Sequence, residues 1–327
     1  MKKFLILIFI CIPTLSMSES ISETLLDAYR NSNLLKQNLS LLMANDEDVG
    51  VALSASRPQI SSTISSKKSD FSRDVTSSTL TNSLSISADF LLFDSGLNKA
   101  KVHSKKDLVS AAHHGFRALE QTIFLDAINS RLSVIRDIEI LALRVGNVEL
   151  IEQELLAVID RFEVGEVTRT EVAQAEARLS QAESSLVEAE GNLAISRELF
   201  VLTVGRSPGN LEKAETLSAP PVTLEEAISY GLAKHPSILQ AKYQVAANKN
   251  SLAAEQSSFG PTVSLGTTLS DNTASDLNGS VSLSIKMPFY KGGQRNSKLR
   301  KSYALVHASN ANLKQKTLMI KQNISQS

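Results

Sequence analysis

Arg161-Phe162-Glu163-Val164-Gly165-Glu166-Val167-Thr168-Arg169-Thr170-Glu171-Val172 lies between two long periodic arms, and its reading decides the fold. Gly165 suits the left-handed position that ends a helix. Thr168 and Glu171 spell a T-x-x-E capping box that would start the next one. Downstream, Val172, Leu179, Leu186, Leu193 and Phe200 recur at the heptad interval, with Ala175, Ala182, Ala189 and Ser196 between them. That is an a/d seam, the mark of a coiled coil. A small residue at every second seam position lets a partner helix approach more closely than a leucine-filled seam would. Upstream, Ile135, Ile138, Ala142, Val145, Val148, Ile151, Leu155, Ile159 and Phe162 follow a similar spacing. The stretch therefore predicts a long antiparallel helical hairpin with a tight tip. Its ascending arm, from about Gly96 to Glu163, would run near 100 Å at about 1.5 Å per residue. No compact domain contains a helix of that length.

Flanking the hairpin are segments with the other period. Leu84, Ile86, Ala88, Phe90 and Leu92 alternate with Ser83, Ser85, Ser87 and Asp89. Val281, Leu283, Ile285 and Met287 alternate with Ser280, Ser282, Ser284 and Lys286. Alternation of this kind puts one set of side chains on each face of a sheet. Four strands are expected, near 58–67, 80–93, 261–270 and 279–290, paired as two hairpins. A soluble sheet with its apolar side inward and a membrane barrel with its apolar side toward lipid both fit the alternation. The long helices favour the barrel.

The chain is also written twice. Thr24-Leu25-Leu26-Asp27-Ala28 is echoed by Thr223-Leu224-Glu225-Glu226-Ala227, Pro58 by Pro261, and Phe93-Asp94-Ser95-Gly96 by Tyr290-Lys291-Gly292-Gly293. The offset of about 200 residues is far beyond a solenoid repeat. It shortens at the last landmark, so the second strand pair has the shorter connection. The expected organisation is a signal peptide at 1–18, a first repeat at 19–203 with a strand pair near 58–93 and a helical hairpin at 96–203, a linker at 204–222, and a second repeat at 223–327. Thr223 to Glu226 forms another capping box, and Pro236 suits a first helical turn with His235 as its N-cap.

Lys2 and Lys3 precede an apolar run from Phe4 to Leu15, and Ser16-Met17-Ser18 offers small residues for cleavage before Glu19. The run is too short for a membrane helix. Cys11 is the one cysteine and falls within this segment, so the mature chain has no disulfide and no thiolate chemistry. The 34 basic and 34 acidic residues balance, without a basic stripe, which leaves nucleic-acid binding without support. Trp is absent and aromatics are 5% of residues, thin for a compact core.

The run Arg161 to Leu179 resembles the signature hairpin of TolC-family outer-membrane efflux proteins. Val204-Gly205-Arg206-Ser207-Pro208 and Pro288-Phe289-Tyr290-Lys291-Gly292-Gly293 are similar to further family landmarks, in family order. The resemblance implies a mixed α and β fold, mostly α, with long antiparallel coiled-coil helices and four membrane β-strands per chain. Three chains would close a twelve-stranded β-barrel in outer-membrane lipid, continued by a periplasmic α-helical barrel. It implies a homotrimer in a Gram-negative bacterium that passes cargo from an inner-membrane ABC or RND-type transporter through a periplasmic adaptor. The system would serve type I protein secretion or multidrug efflux, and the tip wording is similar to the type I branch. Val164, Gly165, Glu166, Val167 and Thr168 inherit the adaptor-docking tip. The bare residues are equally consistent with an ordinary helix turn. Ser327 falls inside the second long helix, so a returning helix and the aperture-closing residues are expected to be missing, by truncation or degeneration.

Other candidates are weaker. His113 and His114 are neighbours on a helix and face different directions, which suits no metal site. His103 adds no carboxylate cluster. Glu163, Glu166, Arg169 and Glu171 are either a pore charge ring or ordinary helix-end charges. No catalytic constellation, cofactor motif or metal motif occurs, so an enzyme is not expected. The alternatives carried are a soluble periplasmic coiled-coil adaptor, a secreted enzyme with a helical insertion, and a non-functional fragment of the channel.

Overall fold

The structure is a computed structural model that describes residues 19–69, 79–212, 223–273 and 275–326. The expected signal peptide at 1–18, with Cys11, and most of the expected linker lie outside them. The elements run α1 (Ile21–Asn31), α2 (Asn33–Ser54), β1 (Gln59–Ser69), β2 (Thr79–Phe93), α3 (Leu97–Glu163), α4 (Arg169–Val204), α5 (Leu224–Lys234), α6 (Pro236–Ser257), β3 (Thr262–Asn272), β4 (Ser275–Lys286) and α7 (Gln294–Gln326). The helix–strand–strand–helix order occurs twice. By contacts the chain divides after Lys36, Ala118 and Ala219 into two compact units that do not follow sequence order.

The first unit holds α1, the distal part of α3, and α4. A full capping box starts α1. The Ser20 hydroxyl accepts from the Glu23 N–H at 3.2 Å, and the Glu23 carboxylate accepts from the Ser20 N–H at 3.2 Å. Along α4 the small seam residues Ala175, Ala182, Ala189 and Ser196 are all buried; of the large ones Val172, Leu179 and Leu186 toward the tip are only half-buried, while Leu193 and Phe200 are buried. Toward the tip, close approach therefore happens at the small residues. Arg178 reaches Glu154 of α3 at 3.0 Å, and the Ser130 and Thr203 hydroxyls lie 2.7 Å apart. Gly205, at φ 86°, closes α4, and Asn31 Nδ2 donates to the freed Val204 carbonyl at 3.0 Å.

The second unit holds the sheet, ordered β1-β2-β3-β4 and antiparallel throughout. The two hairpins are joined edge to edge through β2 and β3. The β3–β4 connection is the shorter, as the repeat offset implies. β4 corrects its expected span, since it begins at Ser275 and stops at Lys286. Pro288 has no N–H to continue the ladder, and its carbonyl accepts from Arg295 at 2.6 Å. Thr223 caps α5 by accepting from the Glu226 N–H at 3.3 Å. His235 caps α6 through Nδ1, which accepts from the Ser237 N–H at 3.2 Å, with Pro236 at the first turn. Gly115 permits a close approach of α3 to α6, because a Cβ there would stand 2.7 Å from Gln240 Nε2.

Candidate functional site

The hairpin tip is built by the end of α3. The Gly165 N–H donates to the Phe162 carbonyl at 3.0 Å and the Glu166 N–H to the Arg161 carbonyl at 2.8 Å. This pair of bonds is a Schellman motif, with Gly165 left-handed at φ 81°. Arg161 Nε also meets Glu166 Oε2 at 3.3 Å. The capping box expected at Thr168 and Glu171 does not form. The Thr168 carbonyl itself takes the Glu171 N–H at 3.0 Å, and the hydroxyl makes no capping bond. Val164, Gly165, Glu166, Val167 and Thr168 thus share one turn. Val164 is 72% exposed, and of the five only Val167 is half-buried.

The sheet carries two chemically distinct faces. The register aligns Ile60, Ala88, Thr267 and Val281 across all four strands, and Phe90, Leu265 and Leu283 across three. Ser61, Ser87, Thr268 and Ser280 align on the opposite face. Oγ–Oγ hydrogen bonds tie Ser61 to Ser87 at 2.8 Å and Ser65 to Ser83 at 2.7 Å. A bulge at Leu92 returns Phe93 to the apolar face opposite Val263. Leu84 and Ile86 are 46% and 47% exposed and are not covered by helices. The apolar face is open.

A third cluster escapes the sequence reading. Arg131 is 1% exposed and donates to the Thr24 hydroxyl at 2.8 Å and to the Glu19 and Glu212 carbonyls at 2.6 and 2.9 Å. The Glu19 carboxylate lies between Arg131 and Arg206, at 3.9 and 2.7 Å, and accepts from Thr24 and the Gly209 N–H. Arg206 also holds Asp27 at 2.7 Å. Burial raises the Glu19 carboxyl, but the bonds from Arg206, Thr24 and Gly209 outweigh it and leave it lowered. Burial likewise lowers the Arg131 guanidinium, against the opposing pull of Glu19 and Glu212. Of this network the sequence reading had named Thr24 and Asp27, in the repeat echo, and Arg206, in the Val204 to Pro208 landmark, without bringing them together. His114 stacks on Tyr243 with centroids 5.3 Å apart, and burial, Arg117 and His113 lower its pKa. Among the described residues no side-chain group could hold a metal ion, and no helix is long and apolar enough to cross a membrane.

The family model described as outer membrane efflux protein matches residues 25–205 and 227–327. The chain belongs to that family. The efflux family's members are outer-membrane channels, and the outer membrane is this chain's location. Outer membrane efflux protein BepC of Brucella suis biovar 1 (strain 1330) is 29% identical over 302 residues, which is 88% of this chain and 64% of that protein. The chain therefore spans less than two thirds of this relative's length. Solved structures share the fold. The channel CusC superposes with a TM-score of 0.82 at 18% identity, covering 94% of this chain and 75% of its own. VceC of Vibrio cholerae gives 0.77 at 17%, covering 91% and 75%.

Proposed function

We propose that this chain is the outer-membrane subunit of a tripartite export system and gives cargo a passive exit duct without catalysis. The observation that carries this reading is the open two-faced sheet in a chain with a 67-residue helix. A four-stranded sheet exposes two edges, and a membrane barrel of known type needs about eight strands or more, so copies must associate. Three copies make twelve strands. The apolar face then meets lipid and the serine-rich face lines a wet lumen. The helical hairpins extend the duct into the periplasm.

Val164, Gly165, Glu166, Val167 and Thr168 are the proposed docking turn for a periplasmic adaptor. An inner-membrane ABC or RND-type pump loads the duct, for type I protein secretion or drug efflux. Two repeats, at 19–203 and 223–327 with a linker at 204–222, are the proposed architectural units. Membrane fractionation and complementation of an exporter-null strain test the whole reading, using the full-length protein. Restored drug resistance or toxin secretion is expected, with the protein in the outer-membrane fraction. Recovery in the soluble periplasm with no restored export would overturn it.

A further inference from the structure

We propose that Asp89 is the charge-selecting residue of the strand-lined part of the duct, an inference that rests on the channel reading above. Asp89 stands on the serine-rich face of β2. Its cross-strand neighbours are Gln59 on β1 and Gly266 on β3, and Ser282 on β4 lies opposite Gly266. None of these carries a charge. The row beside it is Ser61, Ser87, Thr268 and Ser280, again neutral. The Asp89 side chain is exposed and makes no ion pair among the described residues.

Gly266 leaves room for that carboxylate. A Cβ at Gly266 would stand 3.1 Å from Asp89 Oδ1 and 3.1 Å from Ser282 Oγ, tighter than ordinary contact. The carboxylate therefore lies across the bare backbone of the next strand. On the strands themselves the other charges on this face, among the described side chains, are Lys286 and Lys67. Lys286 is four positions along β4 from Ser282, and Lys67 is eight along β1 from Gln59. At about 3.4 Å per residue these are roughly 14 and 27 Å away along their strands. Both distances exceed the Debye length of about 8 Å at physiological ionic strength. In a water-filled lumen the lysines leave the Asp89 field largely uncancelled. Three copies set three carboxylates at one height, and a ring of carboxylates favours cations over anions.

The test is the reversal potential of the full-length protein in a planar bilayer under a KCl gradient. Asp89→Asn should move it toward the chloride value with conductance retained, and Asp89→Lys should move it further in the same direction. Asp89→Glu should leave it where the unmodified protein has it. An unmoved potential in both the Asn and Lys variants overturns the role of Asp89 while the duct reading stands. No conductance from the unmodified protein overturns the duct reading, and this proposal with it.

Discussion

Arg131 is where a single side chain decides most. A buried guanidinium needs acceptors for its protons, and here Nη1 and Nη2 donate to the Thr24 hydroxyl and the Glu19 and Glu212 carbonyls, while Nε meets no acceptor among the described residues. One residue of α3 thereby holds both the start of α1 and the segment after α4. Arg131→Met keeps most of the volume but strands those neutral acceptors, while Glu19 keeps Arg206, and it should cost about 1–3 kcal/mol for each acceptor left buried and unmet. A thermal melt checks this, and an unchanged melting temperature would remove the clamp from the account. Nothing local in the sequence marks Arg131. It sits in a long helix full of solvated charges, and its partners are mostly backbone atoms brought in by the fold. The cap at Thr168 was misread for a related reason. Thr168 and Glu171 have the right spacing, but spacing does not say that the Thr168 carbonyl will take the N–H first.

The elements were far more legible than the individual contacts. A heptad period and a two-residue period are each sustained over many residues, so the hairpin and the four strands stand out before any coordinates. The end of β4 was not so clear, because Met287 continues the apolar alternation up to Pro288, which has no donor for the ladder. The seam of α4 allows a test of packing. Ala182 is buried, and Ala182→Leu should destabilise the hairpin by about 1–3 kcal/mol through overpacking. Equal thermal stability would show that the small residues do not set the approach.

The junction between α5 and α6 responds to pH. His235 must be neutral at Nδ1 to accept from the Ser237 N–H, and burial followed by the charge of Lys316 on α7 lowers its pKa from 6.5. A depressed histidine contributes stability that is present above its unfolded pKa and is lost as pH falls from about 6.5 toward the folded value. Melting temperature should drop between pH 7.5 and pH 5. His235→Asn, which caps without titrating, should flatten that slope. An equal slope in the variant would assign the loss to other groups.

At the scale of the whole molecule the sheet is a boundary between two solvents. Ile86 is on the apolar face and Ser85 on the other, adjacent in sequence and opposite in environment. Ile86→Arg should impair insertion by about 2–4 kcal/mol near the bilayer midplane, whereas Ser85→Arg should insert normally. Equal membrane yields of the two variants would contradict the assignment of faces. Which strands neighbour which across repeats was not written in any local pattern, since β2 meets β3 across the entire hairpin. The bond from the Asn82 N–H to Thr273 Oγ1 joins residues 191 positions apart. A ribosome making roughly 5–20 residues per second needs roughly 10–40 s to cover that interval. Throughout that time the strand that β2 pairs with does not yet exist, so any early hairpin has one row of backbone donors and acceptors bare and an oily surface beside it. In a crowded compartment such an edge recruits whatever strand arrives first. The order of the strands therefore makes delay part of this protein's biogenesis.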